Sequence, residues 1–159
     1  MRVRLPNIRV AVEIDATPEQ VWAALQQIER HVDWMHDAVA IRFTGEQTSG
    51  VGTEFLCDTK VGPFKLVDRM TITEWSANAV MGVRHTGVVT GEGRFTIAAV
   101  DTRTHFAWEE RLQFPWWLGG AIGAFVAGPL VLRPLWKRNL KALKRQIELT
   151  QQAASRSID

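Results

Sequence analysis

Three ionisable residues, Asp68, His85 and Glu110, stand where strand alternation predicts a side chain that faces the protein interior. On each predicted strand, apolar residues lie an even number of positions away, so they face the same side. They are Phe64, Leu66, Met70 and Ile72 for Asp68; Met81 and Val83 for His85; and Phe106, Trp108, Leu112 and Phe114 for Glu110. A buried ionisable group must be paired, hydrogen-bonded or neutral, because an isolated charge is costly in apolar surroundings. The pattern therefore marks these three residues as candidates for a site.

Two kinds of chemistry suit this set of residues. Inside a cavity they could orient the polar head of a ligand, or act as general acid and base on an enolisable ketone. The structural alternative is that they pair with one another or sit at strand ends, and a one-residue bulge would turn each of them outward. The sequence thus predicts Asp68, His85 and Glu110 as catalytic residues, with a structural role as the alternative.

Large apolar side chains are predicted to form the wall of such a cavity. The predicted ligand-binding residues are Trp34, Phe55, Met70, Met81, Phe95, Trp108 and Phe125. Most residues of this type pack as ordinary core, so only those near an open end of the cavity are expected to touch a ligand.

Other chemical motifs fail on their spacing. Residues 119–123 read Gly-Gly-Ala-Ile-Gly, without the Gly-x-Gly spacing of a dinucleotide turn or the Lys-Ser/Thr of a phosphate loop. His31 and His36 lie five residues apart, on different faces of a helix, so with Asp33 and Asp37 they are expected to be solvated polar residues. The sequence therefore predicts no metal site and no cofactor.

Composition limits the class of protein. The 159 residues are 46% hydrophobic and 23% charged, which is typical of a single globular domain. A formal net charge of +2 is too small to predict a nucleic-acid partner. The single cysteine, Cys57, excludes an internal disulfide and is typical of a reducing compartment, so we expect a cytoplasmic protein. With no Cys or His nearby, Cys57 is expected to pack as a small hydrophobic residue.

The elements that must position these residues follow from periodicity and turn signals. Pro6–Asp15 alternates as a strand, Thr17-Pro18-Glu19-Gln20 begins a helix with a capping box, and His31–His36 forms a short second helical turn. Six further strands are predicted at Val39–Thr44, Thr53–Thr59, Phe64–Trp75, Ala79–Gly87, Gly91–Val100 and His105–Phe114. Their short connections indicate an antiparallel meander, which makes seven strands in all.

The remainder of the chain is predicted to be helical to about Gln151. Pro129 and Pro134 predict a kink or break, and the last helix carries one apolar stripe: Leu132, Trp136, Leu140, Leu143 and Ile147. No charge occurs over 114–132, but prolines and glycines there favour a buried helix of a soluble domain over a membrane span. We expect one domain over 1–152 and a disordered tail over 153–159.

The order of these elements, together with four short motifs, resembles one superfamily. Ala16–Trp22 opens the first helix, Trp34 lies in the second, Gly52–Phe55 leads into a strand, and Leu140–Lys144 belongs to the last helix. Over nearly its whole length the chain resembles the START-like helix-grip superfamily (SRPBCC), and within it the polyketide cyclase/dehydrase-type members. The resemblance implies an α+β helix-grip fold: a seven-stranded, curved antiparallel sheet wrapped around a long, kinked C-terminal helix, with two short helices between the first two strands.

The resemblance implies function only in outline, because a fold hosts many activities. It implies binding or transport of a hydrophobic small molecule, lipid or polyketide-like, in an internal cavity. The alternative is a cofactor-free polyketide cyclase/aromatase- or dehydratase-like enzyme that uses the acid and base residues of the cavity. A third hypothesis is peripheral membrane contact through Trp116, Trp117 and the basic face of the last helix. The oligomeric state is not predicted.

Overall fold

The computed structural model describes residues 1–118 and 130–158, which form one antiparallel sheet packed against helices. The strands are β1 (Arg2–Arg4), β2 (Ile8–Ile14), β3 (Ala38–Phe43), β4 (Glu54–Val61), β5 (Phe64–Ser76), β6 (Val80–Thr86), β7 (Thr90–Val100) and β8 (Arg103–Pro115). The helices are α1 (Pro18–Leu25), 3₁₀ turns at Ile28–Asp33 and Trp116–Leu118, and α2 (Leu132–Arg156).

The described strands fill seven positions in the sheet, as predicted. The order is β1-β8-β7-β6-β5-β4-β3, and β2 also pairs with β8. Because β1 and β2 pair with successive stretches of β8, they occupy one strand position between them. Ile41 on β3 and Trp108 on β8 line the same cavity, whereas a flat sheet would hold those two strands about 24 Å apart. The sheet is therefore strongly curved, and its concave face encloses the cavity.

Helix α1 begins at the predicted capping box. The Gln20 backbone N–H donates to Thr17 Oγ1 at 3.3 Å, and the Thr17 N–H donates to Gln20 Oε1 at 2.9 Å. Pro18 takes the first helical position, where its missing N–H costs no bond. The second helical turn begins three residues earlier than predicted, at Ile28. Both predicted short helices are thus present, and they follow β2.

Helix α2 buries the predicted apolar stripe against the sheet. Pro134 lies in its first turn, where a proline removes no helical hydrogen bond, so the predicted kink or break corresponds there to the start of α2. Pro129 lies outside the described residues. The tail prediction is wrong for residues 153–156, which continue α2. Ala153 and Ala154 are strong helix formers, and Ser155 Oγ donates to the Gln151 carbonyl.

No helix among the described residues combines the length and the hydropathy that crossing a bilayer requires. Most of the uncharged segment 114–132 lies outside those residues.

Candidate functional site

The cavity lies between the concave face of the sheet and α2 and has a volume of about 150 Å³. Five of the seven predicted wall residues line it: Phe55, Met70, Met81, Phe95 and Trp108. Trp34 instead packs behind the wall, with its ring centroid 6.0 Å from that of Phe95 and 6.3 Å from that of Trp108. Phe125 lies outside the described residues.

Among the described residues, those that line one end of the cavity are more exposed than those at the other end. In an antiparallel sheet, alternate strands end on the same side, so the carboxyl ends of β4, β6 and β8 lie together. Half-buried apolar residues line the cavity at this end: Val61, Phe64, Leu66 and Phe114. We identify this apolar rim as the mouth of the cavity.

All three predicted ionisable residues line the cavity. Asp68 and Glu110 are each 5% exposed, and the His85 side chain is 11% exposed. His85 Nε2 lies 3.2 Å from Glu110 Oε2, while the Trp108 indole Nε1–H donates to Glu110 Oε1 at 2.8 Å. The His85 and Glu110 atoms that face each other are not aligned as a hydrogen bond, and neither has another hydrogen-bond partner among the described residues.

Two glycines on β7 let His85 reach Glu110. His85 is on β6 and Glu110 is on β8, so β7 separates them and the two strands are about 10 Å apart. The inward positions of β7 between them are Gly91, opposite His85, and Gly93, opposite Glu110. A Cβ atom on Gly93 would stand 2.4 Å from Glu110 Oε1, so a side chain there would displace the carboxylate. The contact between His85 and Glu110 therefore requires glycine at these two positions of β7.

The charge of Glu110 controls the protonation of His85. Burial alone lowers the pKa of His85, but the Glu110 carboxylate beside it, with a smaller contribution from Asp68, outweighs burial and raises the pKa above its usual value. Burial also raises the pKa of Asp68, which the His85 charge and a hydrogen bond from the Val89 N–H at 3.4 Å partly offset. The cavity thus favours protonation of both His85 and Asp68.

The sequence missed a second polar group in the cavity, around Asp37. Asn139 on α2 is fully buried, and its Nδ2 donates to Asp37 Oδ1 at 2.6 Å while its Oδ1 accepts from the His36 N–H at 3.0 Å. Asp37 is half-buried and lines the cavity, so the expectation that it is solvated is wrong. Burial raises the pKa of Asp37. One signal could have found this group, because Asn139 lies three residues after Trp136, on the apolar stripe.

His31 is also buried rather than solvated. Its Nε2 donates to the Leu25 carbonyl at 2.7 Å, and its ring packs against Trp34 and Phe95. Burial lowers the pKa of His31 to about 4. The imidazole is therefore neutral at pH 7 and serves to close the turn after α1.

Cys57 is buried in the cavity wall, as the sequence predicted. Burial raises the pKa of its thiol to about 11, so it is not a thiolate nucleophile at neutral pH. Within residues 1–118 and 130–158, no three His, Cys, Asp or Glu side chains are grouped in a way that could hold a metal ion.

Comparison with known proteins identifies relatives of this structure. A family model described as "Polyketide cyclase / dehydrase and lipid transport" matches residues 6–148. No curated protein matches the chain.

Solved structures with the same fold include three at low sequence identity. TTHA0849 from Thermus thermophilus has 15% identity and a TM-score of 0.76, with 91% of this chain and 99% of that chain covered. A START superfamily protein from Mycobacterium smegmatis has 14% identity and a TM-score of 0.71, with 91% and 98% covered. The Zhui aromatase/cyclase from Streptomyces sp. R1128 has 14% identity and a TM-score of 0.71, with 91% and 94% covered. At these identities the likeness shows the fold alone.

Proposed function

Because the chain belongs to the polyketide cyclase/dehydrase and lipid transport family, we propose that residues 1–156, to the end of α2, form a single domain that binds or transports a hydrophobic small molecule. The ligand, lipid or polyketide-like, enters the cavity with its apolar body against the wall and its polar group at the His85–Glu110 pair. The observation that carries this proposal is a largely apolar cavity in which Glu110 Oε2 and His85 Nε2 lack an aligned hydrogen bond. Buried polar atoms in that state gain free energy when a ligand supplies the missing bond.

The size of the cavity indicates the part of a ligand that it encloses. A cavity of about 150 Å³ holds one aromatic ring, so a longer ligand would extend through the mouth. Benzyl alcohol is therefore a suitable probe, because it combines one ring with one hydroxyl group.

Isothermal titration calorimetry with benzyl alcohol tests this proposal. Leu66→Trp places an indole at the mouth and is expected to abolish binding. Lys65→Trp adds the same side chain on the outer face of the same strand and should leave binding unchanged. Absence of saturable binding to the wild-type protein, or equal binding by both variants, would refute a ligand site in the cavity.

Acid–base catalysis is a second candidate function. The arrangement suits an enolisable ketone: the Glu110 carboxylate would take a proton from the carbon beside the carbonyl, and protonated His85 would donate a proton to the carbonyl oxygen. The product is the enol. Solvent then takes the proton from Glu110 and supplies a proton to neutral His85. The shared fold with an aromatase/cyclase is compatible with this chemistry but does not establish it.

Hydrogen–deuterium exchange distinguishes catalysis from binding. Acetophenone in D₂O exchanges its methyl protons through the enol, and NMR follows the loss of the methyl signal. A catalyst would accelerate the exchange, and His85→Asn or Glu110→Gln would each remove the acceleration. Glu109→Gln is the matched control, because Glu109 lies on the outer face of the same strand. Exchange at the buffer rate with the wild-type protein would eliminate this candidate.

Peripheral membrane contact is part of the same proposal. Trp116 and Trp117 follow β8 at the end of the sheet where the cavity has its mouth, and each is 62% exposed. Exposed indoles prefer a bilayer interface. Flotation with anionic liposomes at low and high salt should recover the wild-type protein and lose a variant with both residues changed to Ser; equal flotation of both proteins would argue against this contact.

A further inference from the structure

The ionisable groups that face the cavity are mostly acidic. Its carboxyl groups belong to Asp37, Asp68 and Glu110, while His31 is neutral and His85 is the one imidazole that protonates readily. Arg94 also borders the cavity, but its guanidinium is half-exposed and binds Glu74 through two bonds of 3.1 Å. Among the described residues, three carboxyl groups therefore share one available positive charge inside the cavity.

Two stacked indoles lie in the part of the cavity wall that holds two of these carboxyl groups. The rings of Trp108 and Trp136 lie 4.8 Å apart at an angle of 23°, and both line the cavity. The Trp108 indole donates to Glu110, and Asn139, which donates to Asp37 Oδ1 at 2.6 Å, lies one helical turn after Trp136 on α2. The charge of Glu110 also adds to burial in raising the pKa of Asp37.

Two carboxyl groups that line one largely apolar cavity require a proton or a cation. His85 can balance Glu110, but no positively charged side chain among the described residues contacts Asp37. An anionic ligand group would add a further negative charge and is disfavoured here. A protonated amine would supply the missing charge, donate to the carboxylates and lie against aromatic rings that attract cations. Glu110, nine-tenths buried and with Oε2 lacking an aligned hydrogen bond, provides an acceptor inside the cavity.

Building on the proposed function, we propose that the ligand carries a protonated amine, and that this ammonium group binds Asp37 and Glu110 beside the stacked indoles of Trp108 and Trp136. The hydrophobic body of the ligand then occupies the apolar wall on the side of Met70 and Met81.

Three ring compounds of nearly equal size test the charge directly: benzylamine, benzyl alcohol and benzoate, which are cationic, neutral and anionic at pH 7. We expect calorimetry to give benzylamine at least about a tenfold lower Kd than benzyl alcohol, since hydrogen bonds to charged groups are the stronger kind. Benzoate should not bind. Benzyl alcohol binding at least as tightly as benzylamine, or saturable binding of benzoate, would overturn the inference and leave the proposed function standing.

Two variants test whether Asp37 causes the preference for benzylamine over benzyl alcohol. Asp37→Asn keeps an oxygen that accepts from Asn139. In this variant the Kd of benzylamine should rise until it about equals that of benzyl alcohol, and the Kd of benzyl alcohol should not change. Asp33→Asn alters an exposed carboxylate on the same segment and should keep the full preference. The indole N–H resonances verify that each variant folds. A preference that persists in Asp37→Asn would overturn the inference, and absence of binding by all three compounds would overturn the proposed function together with it.

Discussion

Alanine in place of Gly93 would put a methyl group where the Glu110 carboxylate lies. The added Cβ would stand 2.4 Å from Glu110 Oε1 and 2.8 Å from Cδ, whereas ordinary contacts begin near 3.4 Å. The carboxylate must therefore move by about 1 Å, which breaks the 2.8 Å bond from Trp108 and separates Glu110 from His85. A hydrogen bond to a charged group contributes about 1.5–3 kcal/mol.

We expect Gly93→Ala to lower the free energy of unfolding by about 2 kcal/mol, and the thermal midpoint by about 4–8 °C for a chain of this size. Urea denaturation followed by tryptophan fluorescence measures the first quantity, and circular dichroism measures the second. Gly45→Ala is the matched control, because a Cβ there meets nothing within 4 Å. Its effect should stay within about 0.5 kcal/mol.

A double-mutant cycle decides whether Glu110 is the cause. In a Glu110→Ala background the methyl group added at position 93 meets no carboxylate, so Gly93→Ala should cost less than about 0.5 kcal/mol. An equal cost of Gly93→Ala with and without Glu110 would show that the backbone, not the carboxylate, requires glycine at this position. The proposed dependence of the His85–Glu110 pair on β7 would then be refuted.

Three further predictions concern the buried polar groups. Asn139→Ala leaves Asp37 and the His36 N–H without their partner, and should lower the free energy of unfolding by about 2–4 kcal/mol in urea; a loss below about 0.5 kcal/mol would contradict the bonds assigned to Asn139. Burial raises the folded-state pKa of Asp68, so its stabilising contribution is lost as pH rises; Asp68→Asn should therefore gain stability over wild type at pH 8 but not at pH 4, and the opposite trend would exclude this cause. Glu110 raises the folded-state pKa of His85, so the stability advantage of wild type over His85→Asn should be full at pH 5.5 and decline towards pH 9; an advantage that grows with pH would mean that burial dominates instead.

Local sequence signals were sufficient to predict α1 and to predict which residues of each strand face inward. The capping box involves Thr17 and Gln20, which are three residues apart, so it can be predicted without knowledge of the tertiary structure. Alternation along single strands placed Asp68, His85 and Glu110 on the concave face, where the structure has them. Their catalytic role stays a prediction, because alternation determines the direction of a side chain and not its chemistry.

The register between strands and the contacts between distant elements could not be predicted from the sequence. Gly93 matters because it lies opposite Glu110, and that register depends on turn lengths and on the packing of the whole sheet. Asp37 enters the cavity because Asn139, about a hundred residues later, binds it across the α2 interface. Trp34 was expected in the wall but packs behind it, because it ends the 3₁₀ turn Ile28–Asp33 and its ring lies against Phe95 and Trp108, which themselves line the cavity.

Methyl NMR of methionine tests whether the ligand binds in the cavity. Three of the four methionines, Met35, Met70 and Met81, line the cavity, while Met1 borders a surface groove beside Trp116 and Trp117. With methyl-labelled methionine, saturating benzyl alcohol should give intermolecular nuclear Overhauser effects to Met70 and Met81 and none to Met1. Effects at Met1 alone, or at no methionine, would place the ligand outside the cavity and refute the proposed site.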